Sequence, residues 1–555
     1  MASLWIQDRI NANHMESKEG ISVKNVSDLN IMDFVASAKE KDYIFRAMIR
    51  FFAHRLVTRH PLLFKTIAGS IKSNIPHQFQ EAMDGKSAEF TGNLFTKSES
   101  STEDLITMMI DVQKYVNKFK DDHDVVHSYE RKIVSGDNKT EKNMHHGILS
   151  KTDENSEEDR LGFILPAHEY FHQSMVVADC EKELFMDNSR GLEGGAFFAA
   201  TLLNRKDVKT QKAKDAIDSM KDFILLKADA RFCQYLLHKF DLDPAVDNTP
   251  DSIKRATHNE KEAFVHNYVE EALRDLLPYF RDCSNEDPHL VDHPLQEGRR
   301  DKYQSEREPA RRVDLVETNI VVEEHASQNT EEMLETHLQE MSLNLSGTRS
   351  KTMYKCGICS FQTRYRTVCL THIKACLLQN EETNDILEEN PDTNQMNDMY
   401  WNYKNCEFML DAIFSITDLF ERFGDGLGCY IVNKILLPVF HGLRHSNYTN
   451  SIHRFITRVL CEATPKEALK LIHEKFSNRS GKPGKNINRD KRMEYRIGTA
   501  KKLIGNLGPN FSPEAVQQVN KTLGVKEELF LTARKSHGVA IRNDLDFFPL
   551  LARFI

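Results

Sequence analysis

The sequence predicts a mixed α/β protein, predominantly α-helical, with a small cysteine-rich module embedded in it. Three observations lead there: long stretches with apolar residues at helical spacing, only two short strand-like runs, and four metal-ligand side chains crowded into one segment. A chain of 555 residues is long enough for about three folding units. Hydrophobic residues at 40% and charged residues at 28% match a soluble globular protein and exclude collagen-like, coiled-coil and wholly disordered classes. A formal net charge of -9 excludes a uniformly basic nucleic-acid coat, which leaves such contact to local patches.

Composition divides the chain into an N-terminal helical region at 1–120, an α/β and helical part at 121–283, a flexible connector at 284–350, a finger at 351–378, an acidic linker at 379–398, a C-terminal helical part at 399–535 and a tail at 536–555. Within the first region, residues 40–75 read as a helix with Ile44, Met48, Phe52 and Leu56 on one side. Strand signals centre on 132–135 and 161–165. A second long helix is expected at about 210–240, and a third after Tyr400 that Gly424 and Gly426 end. At Thr464-Pro465-Lys466-Glu467 a cap, a first-turn proline and a capping-box glutamate open another. Residues 1–20 lack the apolar run of a signal peptide, and the most apolar window, 429–443, is too short to span a bilayer, so no membrane association and an intracellular, nuclear location are expected.

The metal-ligand segment has the spacing C-x2-C-x12-H-x3-C, through Cys356, Cys359, His372 and Cys376. Two cysteines on a tight turn can offer both thiolates to one ion, and two ligands four apart on a helix project from the same face. Four soft ligands close a tetrahedron, so the zinc is expected to be structural, without an open position for water. The segment resembles the C2H2 zinc-finger family with the last ligand changed to cysteine. That resemblance places Tyr365, Val368 and Thr371 toward bases, and none is a strong base reader. Arg364 and Arg366 can hold phosphates, and the finger could equally dock another protein.

Gly136-Asp137-Asn138-Lys139-Thr140, the Leu202-Leu203-Asn204-Arg205 run, Trp401-Asn402-Tyr403, His445-Ser446-Asn447-Tyr448 and Asn478-Arg479-Ser480-Gly481-Lys482 resemble segments of the uncharacterised family called domain of unknown function 6589. The resemblance covers most of 100–535 apart from the connector and finger. It implies a transposon-derived protein and, by analogy, a ribonuclease-H-like core with a large helical insertion. Transposases of that class place carboxylates on an early strand, midway, and on a late helix, to hold two magnesium or manganese ions. Asp137, Glu169 and Glu494 fit those places, with Glu169 set one residue too far from His172 for the family's acidic-aromatic-histidine run. The plainer readings, a turn-forming Asp137 and a solvated Glu494, are favoured.

Residues 470–502 hold eleven lysines and arginines against three acids. Gly481, Pro483 and Gly484 make the middle a loop, from which Lys482, Lys485, Arg489 and Arg492 are expected to reach a phosphate backbone. The sequence thus ranks a zinc-finger protein contacting nucleic acid first. A metal-dependent transposase-like enzyme and a protein-interaction scaffold are the alternatives, and the oligomeric state is left open.

Overall fold

The computed structural model describes residues 2–15, 22–94, 100–186, 195–210, 212–280, 338–343, 351–356, 362–363 and 399–505, with a few positions between 512 and 519. Contacts divide the chain into a larger unit, 1–303 with 403–555, and a smaller one, 304–402. The described residues are predominantly helical, with small sheets of two or three strands. None of their helices is long and apolar enough to cross a membrane.

In the larger unit, β1 (Ala2–Ile6) is followed by α1 (Ala38–Arg59). Ser37 and Glu40 form the capping box that starts α1. The helix ends at Arg59, well short of the 75 expected from periodicity, because His60 precedes Pro61 and that position disfavours helical backbone. Next come β2 (Glu89–Leu94), α2 (Thr102–Gln113), β3 (Lys118–Lys120) and β4 (Val126–Ser128). After them run β5 (Lys132–Gly136), α3 (Asn138–Leu149), β6 (Ile164–His168) and α4 (Phe171–Phe185). The long α5 (Ile217–Lys239) and α6 (His258–Leu276) complete the first half.

The second half contributes α7 (Met399–Phe423), α8 (Gly426–Gly442), α9 (Ser446–Thr457) and α10 (Pro465–His473). It ends with β7 (Phe476–Ser477), β8 (Ile487–Asn488) and α11 (Arg489–Gly505). Gly424, with φ of +78°, ends α7 where a side chain would be strained. Thr464 caps α10, Pro465 opens it and Glu467 closes the box, as the sequence predicts.

Two packed regions organise the larger unit. The helical core joins α1, α5 and α7: the Phe52 ring lies 4.6 Å from Phe232 and 5.5 Å from Phe408, all three fully buried. Each such ring contributes roughly 1.5–3 kcal/mol of burial. A second core forms where Leu105, Met108 and Met109 of α2 meet Met144 of α3 and Ile164 of β6. Through it runs the parallel pair β5–β6, with Lys132 opposite Ile164 and Gly136 opposite His168. It is the only parallel pair among the described residues. Parallel neighbours need a crossover, and α3 supplies it.

In the smaller unit, Leu338–Leu343 runs antiparallel to Lys351–Cys356, which pairs in turn with Gln362–Thr363. The first of these strands falls inside the stretch expected to be a connector. Cys356 ends the central strand. Cys359, His372, Cys376, Arg364 and Arg366 lie outside the described residues, as do the linker at 379–398 and the tail.

Candidate active site

The site is built at the C-terminal tips of β5 and β6, where parallel strands open toward ligands in many α/β proteins. Gly136 permits a sharp turn from β5 into α3, since a Cβ there would lie 2.8 Å from the Thr140 side chain. Asp137 then caps the helix: its Oδ1 accepts a hydrogen bond from the Thr140 amide at 2.7 Å. The Gly-Asp-x-x-Thr run is thus a strand-to-helix corner that places an aspartate just beyond a strand tip.

The neighbouring tip carries Glu169, whose amide donates to the Gly136 carbonyl at 3.1 Å. Glu169 is buried, and its Oε2 has no hydrogen-bond partner. Burial pushes its pKa up to about 7, the charge of Asp490 adds to that, and the Lys475 ammonium works against it. Lys475 is buried too. Its Nζ donates to the His168 carbonyl at 2.7 Å, and burial lowers its pKa.

The third wall is the start of α11. Oδ2 of Asp490 accepts the Phe171 amide at 3.1 Å and stands 3.4 Å from Nδ1 of His172. Asp490 and Glu494 lie four residues apart on α11 and so share a helix face. The pKa of His172 is raised first by its bond to Asp490, against the effect of burial, and further by the charges of Asp490, Asp137 and Glu494. Three carboxylates from segments more than three hundred residues apart therefore bear on one imidazole. The Tyr448 hydroxyl reaches the His172 carbonyl at 3.4 Å, and burial together with Asp137 and Asp490 pushes its pKa up to about 12.

Of the residues named from sequence, Asp137 and Glu169 sit at the two adjoining strand tips, and Glu494 lies one helical turn beyond Asp490 on α11. Asp490 was legible as an acid within the basic run but not as a site residue. Its i, i+4 spacing from Glu494 was the available signal. Lys475, counted from sequence with the basic run, lies in the floor of the site. The rest of that run divides. Lys482 and Lys485 are exposed at the tip of the β7–β8 hairpin, while Arg489 pairs with Glu474 at 2.9 Å and the buried Arg492 with Glu89 at 2.9 Å. The Asn478 side chain latches the hairpin loop to the Met83 and Lys482 carbonyls, and Gly481 and Gly484 turn it at positive φ.

A tighter acidic trio lies elsewhere, between α4 and α7. Glu181, Glu407 and Asp411 bring carboxylate oxygens within 4.8 Å of one another, the only such trio found among the described residues. Lys227 is bonded to Glu181 and lies 2.8 Å from Glu407 and 3.3 Å from Asp411. An ammonium therefore holds the place a metal would take.

No three side chains at the strand tips bring ligand atoms within 4.8 Å of one another, but their donor types suit a hard divalent cation. Carboxylate oxygens are its preferred ligands, and Glu169 Oε2 is a buried oxygen lacking a partner. The family model described as "Family of unknown function (DUF6589)" matches residues 26–542 of the chain. No curated protein matches it, and no solved structure does.

Proposed function

The chain belongs to the DUF6589 family of unknown function, and from that premise we propose that it is a metal-dependent enzyme acting on the phosphodiester backbone of nucleic acid. The observation that carries this reading is the convergence, beside the tips of a parallel strand pair, of Asp490, which meets the Phe171 amide and the His172 ring, and Asp137, which caps the helix leaving the first strand. The chain order of early strand tip, second strand tip and late helix, with the helical bulk between, also supports a transposase-like, ribonuclease-H-like descent. That convergence moves catalysis ahead of the contact-only reading the sequence favours.

Asp137, Asp490 and Glu494, with Glu169 behind them, are the groups that would hold magnesium or manganese. Bound there, the ions would activate water and stabilise the leaving oxygen. The chain's own residues prepare that site. Asp490 fixes the ring of His172 through Nδ1, which leaves Nε2 as the outward nitrogen. Lys475 offsets negative charge in the floor. Arg454 and the buried Arg458 clamp Glu141 of α3, the helix that Asp137 caps, at 2.6 and 3.0 Å.

The β7–β8 hairpin joins the site to its substrate. Lys475 precedes it and Asp490 follows it, while Lys482 and Lys485 stand exposed at its tip, placed to follow phosphates. We further propose that Cys356, Cys359, His372 and Cys376 hold one structural zinc, with Arg364 and Arg366 as phosphate contacts. The strand pairing of Lys351–Cys356 with Gln362–Thr363 supports the hairpin half of such a finger. A nuclear, transposon-derived protein is the setting this reading implies.

The test is incubation of the purified full chain with supercoiled plasmid and Mn²⁺ or Mg²⁺. Metal-dependent nicking is expected. Absence of nicking, together with no rise in melting temperature on adding Mn²⁺, would overturn the enzyme. Elemental analysis of the same preparation should find one zinc per chain, and a zinc-free chain purified reduced and without chelator would overturn the finger.

A further inference from the structure

The segment after β1 walls an open cleft of about 460 Å³, lined by residues 6–13 with Lys132 and Lys470. Lys132 begins β5 and Asp137 follows its end, so the cleft lies roughly 17 Å from the carboxylates, one strand length away.

Its charged lining is Arg9, Lys132 and Lys470 against a single acid, Asp8. Asp8 is already engaged, by Lys470 at 3.0 Å and Arg489 at 3.8 Å. Lys470 also bonds Glu130. Arg9 faces the floor, where its guanidinium donates to the Met83, Gly85 and Phe476 carbonyls and its Nε is buried without a partner. Those acceptors are neutral carbonyls, while the charges of Glu474, which accepts the Arg9 amide at 2.6 Å, and of Asp84 act on the guanidinium and partly offset it.

Lys132 is the cation most available to a ligand. Its ammonium lies 4.9 Å over the Trp5 ring, and among the described residues it has no carboxylate partner. Stacking restricts the side chain beforehand, so less freedom is lost on binding. Around it Gln7, Asn11 and Asn13 are exposed amides, neutral donors suited to phosphate oxygens. The cleft is far larger than one phosphate group and open to solvent, which suits a chain of phosphates running through it.

We infer that this cleft is a second contact for the phosphodiester backbone, set apart from the strand-tip site. The inference rests on the reading that the protein handles nucleic acid, and deepens it by naming where the strand is held away from the cut.

The experiment measures binding of the full chain to a fluorescein-labelled DNA oligonucleotide by anisotropy, without divalent metal, over a series of NaCl concentrations. Lys132→Gln should weaken binding about three- to tenfold and lower the salt slope by about one. The double variant Asn11→Asp with Asn13→Asp changes only exposed positions and should weaken binding in the same direction, which guards against a folding defect at β5. If both variants bind like the wild type with an unchanged slope, the cleft is not a backbone contact. Loss of affinity in Lys482→Gln with Lys485→Gln alone would leave the nucleic-acid reading standing and overturn only this inference. A wild-type chain that binds no DNA would overturn both. Stabilisation of the wild type by inorganic pyrophosphate, with DNA binding indifferent to Lys132, would assign the cleft to small phosphate compounds and overturn the backbone contact.

Discussion

Two carboxylate clusters in this protein look alike by composition and behave as opposites. In the trio Glu181, Glu407 and Asp411, Lys227 sits among the oxygens and Lys404 bonds Glu407 at 2.7 Å. Burial pushes the carboxyls of both Glu181 and Asp411 up. Two ammoniums thus stand among three carboxylates, and although Glu181 Oε2 and Asp411 Oδ1 make no hydrogen bond, Lys227 lies within ion-pair distance of all three acids. At the strand tips Asp137, Glu169, Asp490 and Glu494 meet one buried ammonium, an imidazole and the Arg489 guanidinium, which is shared with Glu474, and Glu169 Oε2 makes no hydrogen bond. Proximity of acids therefore does not mark a site. An unbalanced charge does, because an unbalanced buried charge is costly unless a ligand or proton offsets it.

The largest test of that contrast is chemical. Asp137→Asn keeps a good helix cap, and Asp490→Asn keeps the size of the side chain, yet each should lower metal-dependent nicking by about 10²–10³-fold. Melting temperatures near the wild type would show that the loss is not unfolding. Nicking that survives both substitutions would break the comparison at its open end.

At the closed end, Lys227→Met strips the ammonium from three buried carboxylates and should destabilise the fold by about 3–5 kcal/mol, read from urea denaturation. A change under about 1 kcal/mol would mean that Lys227 is not the ion that closes the trio.

The pH dependence sharpens the contrast through sign. Burial opposes ionisation of Glu141, but Arg454 and Arg458 outweigh it and take its pKa from 4.5 to about 2. Its contribution, about 3 kcal/mol, is fully present above pH 4.5 and is lost as pH falls toward 2. Glu169 works the other way. With its pKa raised from 4.5 to about 7, the folded state holds the proton more tightly, so stability falls as pH rises through that window. Glu141→Gln should remove the acid-side loss and Glu169→Gln the fall toward neutrality, each visible in urea midpoints measured across its own range.

The smallest effect expected is on binding alone. Lys482→Gln with Lys485→Gln, both exposed, should leave stability unchanged and lower the salt slope of DNA binding by about two. An unchanged slope would remove the hairpin tip from the nucleic-acid surface.

Local chemistry made part of this legible from the chain. The Thr464-Pro465-Glu467 start is written in three side chains that act on their own backbone, and it forms as expected. The strand before Asp137 and the glycine corner after it are equally local. The basic run was harder to read. Lys475, Arg489 and Arg492 look like surface charges because their partners are not nearby in sequence: Arg492 meets Glu89 and Lys475 meets the carbonyl of His168. Asp490 was obscured for the same reason, since its significance depends on His172 and the amide of Phe171.

What the sequence determined by itself are the boundaries written in local side chains, such as the Thr464 cap and the Gly424 stop, because capping and glycine turns act within a few residues. Which charges are cancelled, which remain open and which carboxylates face a common imidazole was decided only by the tertiary structure. Coulomb interactions depend on distance through space and on burial, and neither is set by separation along the chain.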